Sequence, residues 1–184
     1  MMEINEELLH GCYAVQTYRT SDPRGVFSKP FSRQGNHRFE QFACAEFFYT
    51  TSGRDVVRGM HLQLGTALLD KFVFCMHGSV LDVLVDLREG PTFGQVASLN
   101  LTADVPVGIF IPRGVAHGFL SQSEHSMIGY LTSHVHVPAL DAGVHWRSIA
   151  FDWPVQAPVI SSRDEALPPI ATFRPILPED TRTV

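Results

Sequence analysis

Lysine is nearly absent from this chain. Among 184 residues there are 14 basic side chains, and only Lys29 and Lys71 are lysines; the rest are arginines. Charge of either sign is sparse at 18%, and the formal net charge is −5. That balance excludes the basic stripe a nucleic-acid-binding domain carries, so no nucleic-acid partner is expected. Cysteine is scarce too. Cys12, Cys44 and Cys75 are odd in number and form no C-x-x-C pair, which leaves little basis for a disulfide scaffold or a zinc finger. No run approaches eighteen apolar residues, so no membrane span is expected. The first ten residues hold Glu3, Glu6 and Glu7 and no apolar stretch, unlike a secretory leader. A cytoplasmic protein with reduced thiols fits these absences.

The length suits one domain, and 45% apolar residues suffice for a sizeable core. Fourteen glycines and twelve prolines punctuate short apolar runs, the pattern of an all-β chain. Strands are predicted over Lys71–Met76, Ser79–Asp86, Gln95–Leu101, Val107–Ile111, His117–Leu120 and Met127–Thr132. His77-Gly78 forms a hairpin turn and Pro112-Arg113-Gly114 a stop. This spacing predicts a sandwich or barrel. Ser32–Phe42 is the best candidate for one short helix. From Trp153 onward six prolines predict a tail of extended or single-turn segments. The reading is one domain over residues 1–184: an N-terminal arm over about 1–50, a core over about 51–153 and a proline-rich tail over about 154–184.

Twelve arginines suit anion recognition through their planar forks, and nine histidines suit proton transfer near neutral pH. The densest cluster is Val57-Arg58-Gly59-Met60-His61-Leu62-Gln63. On an extended strand His61 and Gln63 share a face and Arg58 has the opposite parity, unless Gly59 kinks the chain. A second cluster, Ile111 to Phe119, sets His117 at a strand start. Two imidazoles invite a metal, but no third ligand stands at a suitable spacing, so neither a metal nor another cofactor is expected. Tyr130 is ordinary half-buried packing or a phenolic general acid. Asp164 is a loop cap or the partner of a histidine. Arg24 sits on a turn. Lys71, among Leu68, Leu69, Phe72 and Val73, is a cation in an apolar setting, which is costly unless paired or used.

Taken in order, these segments resemble the sugar-nucleotide 3,5-epimerase family, of which dTDP-4-dehydrorhamnose 3,5-epimerase is the best-known type. The matching segments are Asp22-Pro-Arg-Gly25, Val57 to Gln63, Gly78 to Arg88, Pro91-Thr-Phe-Gly94, Ile111 to Phe119, Gly143-Val-His-Trp146 and Ser161-Ser-Arg-Asp164. The resemblance implies a cupin-type jelly roll, a homodimer and a metal-independent reaction. That reaction would epimerise C3, C5 or both in a nucleotide-diphosphate-linked 4-keto-6-deoxy sugar. It implies His61 as base, Asp164 as its polarising partner and Tyr130 as the acid on the other sugar face. Lys71 and His117 would line the pocket, with Arg24 and Arg58 on the diphosphate and Gln63 and Glu46 at substrate-contact positions. In relatives a partner chain's N-terminal segment completes the pocket, which is where Arg24 would act. Three places depart from the pattern: the stretch Glu46-Phe47-Phe48-Tyr49-Thr50 stands where relatives have Gln-x-Asn, Lys29 for a glutamate and His136 for an aromatic. The alternatives are a non-catalytic sugar-nucleotide-binding cupin and a metal-dependent cupin enzyme.

Overall fold

Turn residues divide the chain into short strands, and the side chains decide which faces those strands bury. A computed structural model describes residues 2–34, 41–177 and 180. Two antiparallel sheets stack face to face in a cupin-type jelly-roll sandwich. One has six strands in the order β1 (Glu3–Leu9), β2 (Cys12–Gln16), β10 (Val107–Ile111), β7 (Lys71–His77), β12 (Ser126–Thr132) and β5 (Glu46–Ser52). The other has five, in the order β13 (Asp141–Gly143), β6 (Val57–Gln63), β11 (Val115–Ser121), β8 (Ser79–Asp86) and β9 (Val96–Thr102). A separate hairpin pairs β3 (Tyr18–Asp22) with β4 (Gly25–Lys29). No helix among the described residues is long and apolar enough to cross a membrane.

Alternation sorts each strand between two environments. On β7, Val73 faces the inter-sheet core with Val80, Leu84, Ile109, Phe119 and Ile128. Its neighbours Phe72 and Phe74 face outward and pack with Met2, Tyr13, Val15 and Phe42. The five-stranded sheet is covered on its outer face as well, because Val83, Val85 and Leu87 meet Ile149, Ile176 and the aromatic rings of the tail. Both faces being buried explains why apolar residues fall on both parities of Ser79–Asp86, Val80 and Leu84 inward and Val83 and Val85 outward.

The predicted strands appear within a residue or two of their expected bounds. The arm differs: residues 3–16 do not stand apart from the core but supply β1 and β2, with Leu9 and Cys12 in the inter-sheet core. Exposed Glu3 and Glu6 disguise β1 as a polar lead-in, yet charges on an edge strand deter further pairing. Of the helix expected over Ser32–Phe42, residues 35–40 lie outside the described residues, and those flanking them are not helical. The tail follows its expected form. It makes a one-turn helix α1 (Ser162–Glu165) and a 3-10 turn at Ile170–Thr172, and it adds parallel bridges Val56–Val159 and Arg88–Ile176.

Candidate active site

The sandwich is open between its sheets around His61, and the opening is built from both walls. On the five-stranded wall, β6 pairs with β11 so that His61 lies opposite His117 and Arg58 opposite Phe119. Three steps on β6 thus face two on β11, which is a bulge. The bulge reverses parity, so Arg58 joins His61 and Gln63 on the cavity wall. Glycine makes this possible. Gly59 has φ +111°, and a Cβ there would lie 2.6 Å from the Gly118 Cα and 2.7 Å from the His117 carbonyl oxygen. The kink that the sequence allowed at Gly59 is therefore present.

Asp164 reaches the site from the tail. Ser161 caps α1 by accepting the Asp164 N–H at 3.1 Å. The Asp164 carboxylate then spans two partners: Oδ1 lies 2.7 Å from His61 Nε2, and Oδ2 accepts the Gly59 N–H at 3.1 Å. Burial alone would raise this carboxyl. The His61 hydrogen bond and charge, the Gly59 N–H and the Arg163 charge outweigh it and hold it below the ordinary carboxylate range. Asp164 is thus an anion that fixes one imidazole nitrogen and leaves the other for chemistry.

The facing wall comes from the six-stranded sheet. Tyr130 on β12 stacks on Phe48 of β5, with centroids 4.7 Å apart and planes 13° off parallel. Its hydroxyl is 3.4 Å from Thr50 Oγ1. Burial pushes the phenol up, so it keeps its proton and can donate it. Lys71 on β7 donates to the His61 carbonyl oxygen at 3.2 Å. Burial lowers its ammonium to about 8, with Asp141 and Asp82 opposing that shift. His61 and Tyr130 therefore enter one cavity from opposite sheets, with Lys71 beside them.

Strand register sets the two ends of the cavity. Toward Ser52 and Thr50 lies Arg58, whose Nε donates to Ser52 Oγ at 3.0 Å. Toward Glu46 lies a polar mesh. Gln63 Nε2 donates to Asp141 Oδ1 at 3.0 Å, and Arg163 pairs with Asp141 Oδ2 at 2.5 Å. His136 Nε2 is 3.4 Å from the same Oδ2, and the His136 backbone N–H donates to Glu46 Oε2 at 3.1 Å. Sequence reasoning assigned no role to Asp141, Arg163, Phe48 or Thr50, all of which border the cavity or its mesh. It also passed over Asp82, which is 2.7 Å from His117 Nε2 and has no accessible surface. The available signal was an acid in the apolar stripe of Val80 and Leu84.

Arg24 is the one predicted site residue that this chain does not bring to the cavity. It lies on the exposed β3–β4 hairpin, where its Nη2 is 2.6 Å from Asp22 Oδ2. Nor do the two pocket histidines share a ligand position, since each gives Nε2 to its own carboxylate. Among the described residues no group of three His, Cys, Asp or Glu side chains is placed to hold a metal ion.

A jelly-roll sandwich with a carboxylate-backed imidazole on one wall and a protonated phenol on the other defines an acid–base isomerase of cupin type. A model of the dTDP-4-dehydrorhamnose 3,5-epimerase family matches residues 6–172, and the chain belongs to that family. The dTDP-4-dehydrorhamnose 3,5-epimerase of Salmonella typhimurium is 35% identical over 156 residues, spanning 80% of this chain and 84% of that one. The dTDP-4-dehydrorhamnose 3-epimerase of Streptomyces niveus is 33% identical over 162 residues, spanning 85% and 78%. The crystal structure of NovW, a 4-keto-6-deoxy sugar epimerase of Streptomyces spheroides, matches with a TM-score of 0.91 at 29% identity, covering 99% of this chain and 96% of that one.

Proposed function

We propose that this enzyme epimerises C3, C5 or both in a dTDP-linked 4-keto-6-deoxy sugar. The observation that carries the reading is the placement of His61 and Tyr130 on opposite walls of one cavity. A proton alpha to a ketone becomes acidic only when charge can move onto the carbonyl oxygen. Inversion then needs a base on one sugar face and an acid on the other. His61 takes the proton, and Asp164 stabilises the imidazolium that results. The Lys71 ammonium, held beside His61, stabilises the enolate oxygen. Tyr130 delivers a proton from the opposite wall. Only protons move, so the reaction calls for no redox cofactor.

Arg58 supplies a guanidinium for the diphosphate, and Gln63 and Glu46 border the end toward His136. Arg24, being remote from its own cavity, acts in the cavity of a second copy; we therefore assign a homodimer. The hairpin that carries it also shows Val26 and Phe27 to solvent, an apolar tip suited to a protein contact. Three free cysteines fit a reducing cytoplasm. Relatives of nearly equal identity act at C3 alone or at C3 and C5, so the number of inverted centres is read from product stereochemistry.

The test is deuterium uptake from solvent at C3 and C5 of dTDP-4-keto-6-deoxyglucose, followed by NMR. Uptake by the native chain and its loss in His61→Ala support the assignment. Undiminished uptake in that variant removes His61 as the base. Tight binding without uptake supports a binding module instead.

A further inference from the structure

β8 carries an acid where the core calls for hydrocarbon. Val80, Asp82 and Leu84 share a parity, and Val80 and Leu84 lie in the inter-sheet core. Asp82 is fully buried. Its Oδ2 meets His117 Nε2 at 2.7 Å, while Oδ1 has no hydrogen-bond partner. A lone buried carboxylate with one partner is costly, and such a group persists only when something neutralises it. Lys71 is near enough to act on it electrostatically, but its hydrogen bond among the described residues goes to the His61 carbonyl and not to Asp82. Neutralisation through a bond must therefore come from His117.

Counting protons decides what His117 offers. With one proton between them, the pair Asp82–His117 is net negative and His117 Nδ1 is a bare acceptor. With two protons the pair is net neutral. In that state one proton is shared between Oδ2 and Nε2, and the other sits on Nδ1 whichever atom holds the shared one. Burial favours the neutral pair, and it pushes the Asp82 carboxyl up despite the opposing His117 and Lys71 charges. The imidazole ring lines the cavity, edge-on to Tyr130 at 6.0 Å between centroids. With Nε2 committed to Asp82, Nδ1 is the ring nitrogen without a hydrogen bond among the described residues.

We propose that Asp82 and His117 form a two-proton pair that presents the His117 Nδ1–H to the cavity as a second donor, beside Lys71, for the enolate oxygen. His117 is then a catalytic residue and Asp82 a positioning residue that sets its protonation. The inference rests on the epimerase reading above. An enolate oxygen carries more charge than the ketone it comes from, so this donor strengthens as the proton leaves and acts on rate more than on binding.

Three measurements test it. The ¹⁵N NMR spectrum of the native chain near neutral pH should show Nδ1 of His117 protonated; a bare Nδ1 overturns the proposal without any mutation. His117→Phe should slow deuterium uptake about 10²–10³-fold, the usual effect of removing one such donor, while the affinity for dTDP stays unchanged. His117→Asn, whose amide places an N–H near the Nδ1 position, should recover part of the rate. Native-like uptake by His117→Phe, or loss of dTDP binding along with uptake, overturns the proposal while leaving the epimerase reading standing. Absence of uptake in the native chain instead overturns the epimerase reading, and this proposal with it.

Discussion

Replacing Lys71 separates activity from stability, because the two respond to its charge with opposite signs. Burial lowers the folded ammonium from the ordinary 10.5 to about 8. Near pH 7 about nine-tenths of it is charged, and near pH 9 about one-tenth. If the charged form stabilises the enolate, deuterium uptake falls about tenfold between those pH values. The lost rate follows a single ionisation near 8. Stability runs the other way. Below about pH 8 the folded chain holds a charge its interior disfavours, so the penalty is fully present there. It is relieved as pH rises from about 8 to the ordinary 10.5. The gap corresponds to about 3 kcal/mol. Lys71→Met therefore loses uptake yet gains stability toward urea near neutral pH, by up to about that amount, and the gain disappears by about pH 10. Lys71→Arg keeps its charge throughout, so any uptake it retains lacks the alkaline fall. A native profile flat to about pH 10, or a Lys71→Met chain less stable than the native one at neutral pH, would refute the reasoning.

Three further outcomes follow from the geometry. Asp164→Asn keeps the shape but not the charge beside His61 Nε2, so uptake drops about 10²–10⁴-fold with the thermal midpoint little changed; native-like uptake would dismiss the dyad. Gly118→Ala places a Cβ 2.6 Å from the Arg58 carbonyl oxygen and 2.6 Å from Met60 Sδ. It should cost about 1–3 kcal/mol in denaturant unfolding and lower uptake by disturbing the bulge. Arg24→Ala leaves folding unchanged but raises the KM for the sugar nucleotide about tenfold, while light scattering on the native chain gives a dimer; a monomer, or an unchanged KM, removes Arg24 from the site.

What the sequence made legible was local. Gly78 and the Pro112 to Gly114 stop mark turns by their own backbone preferences, so the strands between them were readable. His61, Tyr130 and Asp164 stood out through the order of surrounding motifs, and the cavity or its immediate border holds all three. What escaped was nonlocal. The parity of Arg58 depends on a bulge set by the register against β11, which no reading of β6 alone contains. Asp141 gains meaning only because β13 pairs beside Gln63. Arg24 was readable as an anion-binding turn but not as a residue that its own chain holds away from the cavity. Residues 3–9 concealed their membership of the large sheet because edge strands carry charge for reasons unrelated to loops.

The route by which Asp164 arrives has a consequence for biosynthesis. It lies 103 positions beyond His61, so a ribosome adding about 5–20 residues per second makes the base several seconds before the group that polarises it. Until α1 docks, the nascent sandwich can hold a cavity, a cation and an imidazole without the dyad. On the reading proposed above, catalytic competence is thus among the last properties this chain acquires.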